Sequence, residues 1–369
     1  MLSRQKQAKL HIVHTESSLG WGGQEMRVIA ESQGLMGRGH RLTLLTPESS
    51  TIYHEAIKAG IETLSLPLEK KRIKGVLALR KWLQNNKPDL INTHSSTDSW
   101  LVALAQVAGR KIPMVRTRHL SAAVPANRAT RWLYVTAAKY TVTTGESIRQ
   151  ALIENNHFDG DFITAIPTGI DAERFVPGDK NHAREMLGLP AEDIIIGIVA
   201  TVRSWKGHQY LVDAFSKIDC SQAKLVIVGD GPVREVVEKQ IHEAGLDERV
   251  VMAGQQQNVV PWLQAMDVFV LPSYANEGVP QAILQAMLCE RPIVTTDAGS
   301  ITEAVEHGRS ALVVEKKNSD AIAAALELLI RDPVLAERLG KQARLCAAVD
   351  YGFENMLDKM EKVFYGLME

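Results

Sequence analysis

Ile194-Ile-Ile-Gly-Ile-Val-Ala200 is a strongly β-branched run midway along a chain of 369 residues, and it restarts a pattern that has already run once. In the first half, Leu10-His-Ile-Val-His-Thr15 reads as a buried strand and Glu25 to Met36 as a helix ended by Gly37 and Gly39. Arg41-Leu-Thr-Leu-Leu-Thr46, Asp89-Leu-Ile-Asn-Thr93, Met114-Val-Arg-Thr117 and Tyr140-Thr-Val-Thr-Thr144 continue the series. After the restart come Lys224-Leu-Val-Ile-Val-Gly229, Val250-Val-Met252, Val268-Phe-Val-Leu271 and Pro292-Ile-Val-Thr-Thr296, with helical stretches between. Strand and helix alternating at this rhythm predict a parallel sheet covered on both faces, and the repetition predicts two such units. The expected fold class is α/β, with two doubly wound, Rossmann-like domains. Asp171–Lys180 holds Pro177 and Gly178 and no apolar periodicity, so it reads as the boundary. The domains are therefore residues 1–170 and 171–351.

Composition agrees with a soluble globular protein: 45% of residues are hydrophobic, 23% are charged, and no apolar run reaches membrane-spanning length. The basic start Met1-Leu-Ser-Arg-Gln-Lys-Gln-Ala-Lys9 is followed by no long apolar region, and no signal peptide is read there. Cys220, Cys289 and Cys346 are odd in number and far apart, which fits neither a disulfide framework nor a zinc site and points to the cytosol. Charge is unevenly spread. Residues 1–170 carry 22 Lys and Arg against 13 Asp and Glu, whereas residues 171–369 carry 20 against 30. A basic half suits an anionic surface or partner. The neutral overall balance and the lack of any recognised module argue against a nucleic-acid role.

Several stations fall where strands give way to helices, which is where open α/β sheets bind ligands. Gly20-Trp-Gly22-Gly23-Gln-Glu25 follows the first strand, where small residues let a phosphate approach the backbone and the helix N-terminus. Asn92-Thr-His94 and Arg116-Thr-Arg118-His119 each end a strand with a histidine that can hold or accept a proton. Arg203-Ser-Trp-Lys206-Gly207 places a planar fork and a point charge together, a pair suited to a diphosphate. Val228-Gly229-Asp230-Gly231-Pro232 offers close backbone approach, yet Arg234 stands where a dinucleotide fingerprint needs its third glycine. Ser273-Tyr-Ala-Asn-Glu277-Gly278-Val279-Pro280-Gln-Ala-Ile-Leu-Gln285-Ala-Met287 puts an acid in a Gly/Pro loop that runs into an apolar helix. Eight residues are close to two helical turns, so Glu277 and Gln285 are expected on one side, together with the free N–H groups of the first turn. Acid, amide and N–H groups together suit a polyhydroxyl ligand carrying phosphate.

These stations, in this order over roughly residues 10–350, resemble the retaining GT-B glycosyltransferases known as group 1 or family four, among them bacterial lipopolysaccharide and polysaccharide enzymes. The Glu277 stretch is similar to the family's Glu-x7-Glu loop, with Gln285 in the second place. Lys206-Gly207 is similar to its Lys-Gly pair, but Thr201 stands where the family's Arg usually does, so Arg203 is carried over instead. Asp297-Ala-Gly299-Ser300-Ile-Thr-Glu303 resembles the segment that closes the donor pocket. The resemblance implies two domains facing a central cleft, with the last helix, 352–369, packing back on the N-terminal, acceptor-binding domain. It also implies transfer of a sugar, with retention, from a nucleotide-sugar donor to a glycan or glycolipid acceptor in surface-polysaccharide assembly. Under it Glu277 holds sugar hydroxyls, His94 lies near the transferred sugar, Lys206 and Arg203 meet the diphosphate, and Gln285 meets the ribose. Gly22, Gly23, Gly231, Gly278, Val279 and Pro280 line the donor, His119 contacts acceptor or donor, and Val251–Gln255 with Val259–Leu263 frame the base. No Asp-x-Asp clamp lies near these motifs, so neither metal nor cofactor is expected. Two other classes stay open: a sugar-nucleotide 2-epimerase of the same architecture, and a non-catalytic nucleotide-sugar-binding subunit, to which Gln285 lends support. Leu68–Leu83 and Asn127–Tyr134 mix basic and apolar residues at helical spacing, which suits either peripheral attachment at the inner face of the cytoplasmic membrane or ordinary packing with solvated outer faces.

Overall fold

A computed structural model describes residues 8–107, 109 and 111–369, so most of the basic N-terminal stretch lies outside the described residues. The chain forms two compact units. One runs to Ile166 and takes in Met356–Glu369; the other is Pro167–Asn355. The division falls a little before the stretch expected from sequence, because Ile170 bridges to Gly352 and Phe175 is buried in the second core.

The first unit holds β1 (His11–Thr15), β2 (Arg41–Thr46), β3 (Glu62–Ser65), β4 (Leu90–Thr93), β5 (Met114–Arg118), β6 (Tyr140–Thr143) and β7 (Ile163–Ala165). They form one parallel sheet in the order β3-β2-β1-β4-β5-β6-β7. The second unit holds β8 (Ile194–Val199), β9 (Ala223–Val228), β10 (Val250–Gly254), β11 (Val268–Leu271), β12 (Ile293–Thr296) and β13 (Leu312–Val314). Its sheet is also parallel, ordered β10-β9-β8-β11-β12-β13. The strands are buried because helices cover both faces of each sheet, which is why they read as apolar runs rather than alternating ones. β3 escapes the sequence reading: it is a short edge strand, Glu-Thr-Leu-Ser, with mostly exposed side chains.

Each sheet adds strands first to one side and then to the other, so a crevice opens at its C-terminal edge between β1 and β4, and between β8 and β11. Local chemistry aims the loops there. The helix Ser96–Ala105 begins with a capping box, Ser95 and Asp98, which pins the residues leaving β4. The last helix, Phe353–Gly366, belongs chiefly to the first unit, where it buries Met356, Met360 and Phe364. Glu361 on it binds Arg38 at 2.5 Å and His40 at 2.8 Å.

Arg27 and Glu31 are an ion pair with no solvent exposure, at 3.3 Å, and Arg27 also donates to the Ile166 carbonyl at 2.7 Å. Removing one member of such a pair strands the other in a dry interior. Arg27→Ala is therefore expected to cost about 3–5 kcal/mol, read as a lower denaturant midpoint, whereas Arg27→Met with Glu31→Gln together recovers much of that loss.

Candidate functional site

In the second unit the crevice between β8 and β11 collects the expected residues. Lys206 ends a short 3-10 turn, Ser204–Lys206, and its Nζ donates to Glu277 Oε1 at 2.6 Å. Ser273 Oγ donates to the same oxygen at 2.6 Å. Both of these bonds go to Oε1 of Glu277, and neither engages Oε2. Glu277 is 4% exposed and is positioned by the loop, with Asn276 before it in a left-handed conformation at φ 59°. The helix starts only at Gln281, so the eight-residue spacing to Gln285 is not two helical turns. What brings the acid in is close packing of backbones. Gly207, at φ 79°, has the Pro272 carbonyl where a Cβ would stand, and Gly299, at φ 58°, meets the Glu277 carbonyl in the same way. Tyr274 N–H donates to the Trp205 carbonyl at 2.9 Å, tying the two loops together.

Arg203 is partly exposed and stacks over the Trp205 ring at 5.1 Å. Gly231 has no room for a side chain because the Val202 carbonyl lies 2.5 Å from where a Cβ would be. Val279 is buried in the core of this unit, so what it offers a ligand is backbone. Gly278 and Pro280 are buried beside it, and Gln285 is 9% exposed on the following helix. The helix N-terminus carries no side-chain cap, and the Ile283 and Leu284 N–H groups turn back to the Pro280 carbonyl at 3.1 and 3.3 Å.

In the first unit the crevice between β1 and β4 holds a cluster that the motifs indicated only in part. His14 of β1 and His94 after β4 join through Nδ1 and Nε2 at 2.7 Å, and His94 Nδ1 joins His119 Nε2 at 3.0 Å. His94 is thus a middle member, 3% exposed with both ring nitrogens engaged, and has none to spare for a sugar. His119 is half-buried and engaged through Nε2 only, while the other uncommitted ring nitrogen of the three, Nε2 of His14, is sealed in the interior. Burial lowers the pKa of all three; His14 falls to about 3, with Arg27 adding to the effect. All three are neutral at physiological pH.

Two buried acids lie alongside, and the motifs missed both. Asp98 accepts from Thr15 Oγ1 at 2.7 Å and from the backbone of His94 at 2.9 Å and Ser95 at 2.8 Å. Glu16 accepts from the backbone of Ser17 and Ser18, both at 2.8 Å, and from Ser95 Oγ and Gln24 Nε2, both at 2.5 Å. Burial, then the charges of Asp98 and Glu25, push Glu16 up to about 8, while burial brings Asp98 to about 6. Gly22 caps the helix Gly23–Gly37 directly after this acid, so the glycine loop and Glu16 form one feature. The missed signal was an ionisable residue one position past a buried strand and ahead of a glycine loop. Among the described residues no group of three or more His, Cys, Asp or Glu has metal-binding geometry.

A family model for glycosyl transferases group 1 matches residues 179–345, and one for glycosyltransferase family 4 matches residues 21–174. The chain is a group 1 glycosyltransferase. It is 27% identical over 81% of its length to the UDP-Gal:alpha-D-GlcNAc-diphosphoundecaprenol alpha-1,3-galactosyltransferase of Escherichia coli, covering 80% of that protein. It is also 27% identical to the N-acetyl-alpha-D-glucosaminyl L-malate synthase of Bacillus anthracis, over 54% of this chain and only about half, 52%, of that protein. Among solved structures, Anabaena Alr3699/HepE in complex with UDP-glucose superposes with a TM-score of 0.87 over 97% of this chain and 100% of the other, at 20% identity. That likeness shows the GT-B fold.

The glycosyltransferase has a pH signature from Glu16. Its folded form keeps a proton that the unfolded chain releases near 4.5, so this group's contribution to stability falls as pH rises from there to about 8. Glu16→Gln is expected to flatten the decline in Tm between neutrality and about pH 8. An unchanged slope would show that Glu16 is ionised in the native protein.

Proposed function

We propose that this glycosyltransferase moves a sugar, with retention and without a metal ion, from a nucleotide-sugar donor to an acceptor hydroxyl in the assembly of lipopolysaccharide or another surface polysaccharide. One observation carries the reading: Lys206 bound to Glu277 at 2.6 Å on the two loops that leave β8 and β11. An ammonium has three donors and spends one on Glu277, so the others can meet diphosphate oxygens. Arg203 beside it and the uncapped N-terminus of the helix Gln281–Leu288 add positive potential where charge develops on the leaving group. Glu277 takes sugar hydroxyls through Oε2. Gln285 bonds ribose hydroxyls as a neutral group, and Gly231, Gly278 and the Val279 backbone allow close approach of the donor. The Escherichia coli relative, whose name gives UDP-Gal as donor and a diphosphoundecaprenol-linked sugar as acceptor, supports the substrate class.

A thermal-shift panel of nucleotide diphosphates and nucleotide sugars identifies the donor by the ligand that stabilises the protein most. With that donor and an acceptor, Lys206→Ala is expected to lower kcat/KM roughly 100- to 1,000-fold, and Glu277→Ala to abolish turnover. Binding without transfer from any donor would leave a nucleotide-sugar-binding subunit; an epimeric product formed without acceptor would leave a 2-epimerase.

We also propose peripheral attachment to the cytoplasmic membrane through the first unit. No helix of the described residues is long and apolar enough to cross a membrane. On the helix Ile73–Asn86, Ile73 and Leu77 lie one turn apart and are 72% and 57% exposed, ringed by exposed Lys70, Lys71, Arg72, Lys74 and Lys81. The other basic segment does not share this character. It forms a short helix, Arg128–Arg131, and a π-helical turn, Trp132–Ala137, in which Leu133 and Tyr134 are buried and Trp132 stacks on Trp100. Flotation with phosphatidylglycerol vesicles is expected to carry the protein upward at low salt. Ile73→Ser with Leu77→Ser should abolish it, and flotation unaffected by both changes would overturn the reading.

A further inference from the structure

The three histidines of the first unit are adjacent rungs on adjacent strands. His14 is in β1, paired in register with Asn92 of β4; His94 follows β4; His119 follows β5, which is β4's other neighbour. The rings run in a line, with centroids 5.0 Å apart between His14 and His94 and 5.3 Å between His94 and His119. A line of this kind is not a metal cage, because the nitrogens face one another and not a common point.

Two nitrogens at 2.7 Å hold one proton between them. A neutral imidazole also carries only one N–H. Once the inner end of the line is decided, every later tautomer follows. At that inner end, Nε2 of His14 is buried with no hydrogen-bond partner and lies 4.0 Å from Glu31 Oε1. Glu31 is held by Arg27 Nε at 3.3 Å and Asn92 Nδ2 at 3.4 Å. A lone pair on Nε2 would face the carboxylate oxygen, whereas an N–H there is attracted to it. The proton therefore belongs on His14 Nε2. His14 Nδ1 is then bare and accepts from His94 Nε2–H. His94 Nδ1 is bare in turn and accepts from His119 Nε2–H. Nδ1 of His119 is left bare at the outer end.

We infer that His14, buried and remote from the ligand, is a positioning residue that fixes the tautomer of the whole line, so that His119 presents a hydrogen-bond acceptor to the crevice and selects a hydroxyl there over an anionic oxygen. Beside a lone pair a phosphate or carboxylate is repelled, while a sugar O–H donates to it. The inference rests on the proposed function only in taking that hydroxyl to be a sugar's. The ladder itself is a property of the free protein and is tested without any substrate.

The experiment is nitrogen NMR on protein labelled with 15N in its histidines, with resonances assigned through His119→Gln. In the wild type near neutral pH, each of the three rings is expected to show a protonated Nε2 and a bare, downfield-shifted Nδ1. His14→Phe removes the acceptor for His94 Nε2–H and is expected to release the tautomers of both His94 and His119, seen as exchange-averaged nitrogen shifts. His14→Gln, which can still accept from His94, is expected to restore the wild-type pattern. A merely structural role for His14 would move stability but not the nitrogen pattern at His119. A protonated Nδ1 on His119 in the wild type, or nitrogen shifts at His119 indifferent to His14→Phe, overturns the inference. If His14→Phe does not fold, the wild-type tautomers and His14→Gln still decide.

Discussion

Each unit of the protein depends on a single reversal in strand order, between β1 and β4 and between β8 and β11. A parallel sheet forces every connection to cross over one face, and only where the winding reverses do two neighbouring strands send their following helices to opposite faces. The loops leaving such a pair diverge, and the gap between them is the one place where polar groups from two strands can meet at the sheet's C-terminal edge. Glu277 and Lys206 meet there in one unit, and His14, Glu16, His94 and Asp98 in the other. The placement of these groups is thus a consequence of topology, and close backbone packing at Gly207 and Gly299 fixes the loops that carry them.

The two gaps hold their charges differently. Beside Glu277 the protein supplies an explicit counter-cation, Lys206, while Arg203 stays partly exposed. Beside Glu16 and Asp98 it supplies neutral donors: backbone N–H groups, hydroxyls and an amide. A cation held by one acid can share its remaining donors with an incoming anion, whereas an acid surrounded by neutral donors is satisfied and passive. The second unit thus pairs its acid directly with a cation, and the first surrounds its acids with neutral donors.

Most of the fold was legible in the sequence because buried parallel strands are rich in apolar, β-branched residues. Ile194–Val199 and Val268–Leu271 could hardly be anything else. The strand Glu62–Ser65 was not legible, since an edge strand with exposed side chains carries no such signature. The second-unit site was readable from Lys206, Glu277 and their glycines, because left-handed and overcrowded backbone positions such as Gly207 restrict residue type. Its geometry was readable only in part: Glu277 belongs to the loop and owes nothing to the phase of the helix that follows. In the first unit, sequence pointed to His94 and His119 by their place at strand ends, but not to the ring-to-ring bonds that join them to His14. Which histidine has a free nitrogen depends on His14, a residue 80 positions from His94, and such pairing leaves no local mark.

The last helix has a consequence for how the chain is made. Met356, Met360 and Phe364 complete the interior of the first unit, and Glu361 pairs with Arg38 and hydrogen-bonds His40. A ribosome delivers residues in order, and domains ordinarily fold as they emerge. Here the first unit lacks part of its own interior until residues 356–369 have been made. The second unit, with all of its sheet between residues 194 and 314, can close first. The first sheet is complete in its packing only when the helix Phe353–Gly366 joins it.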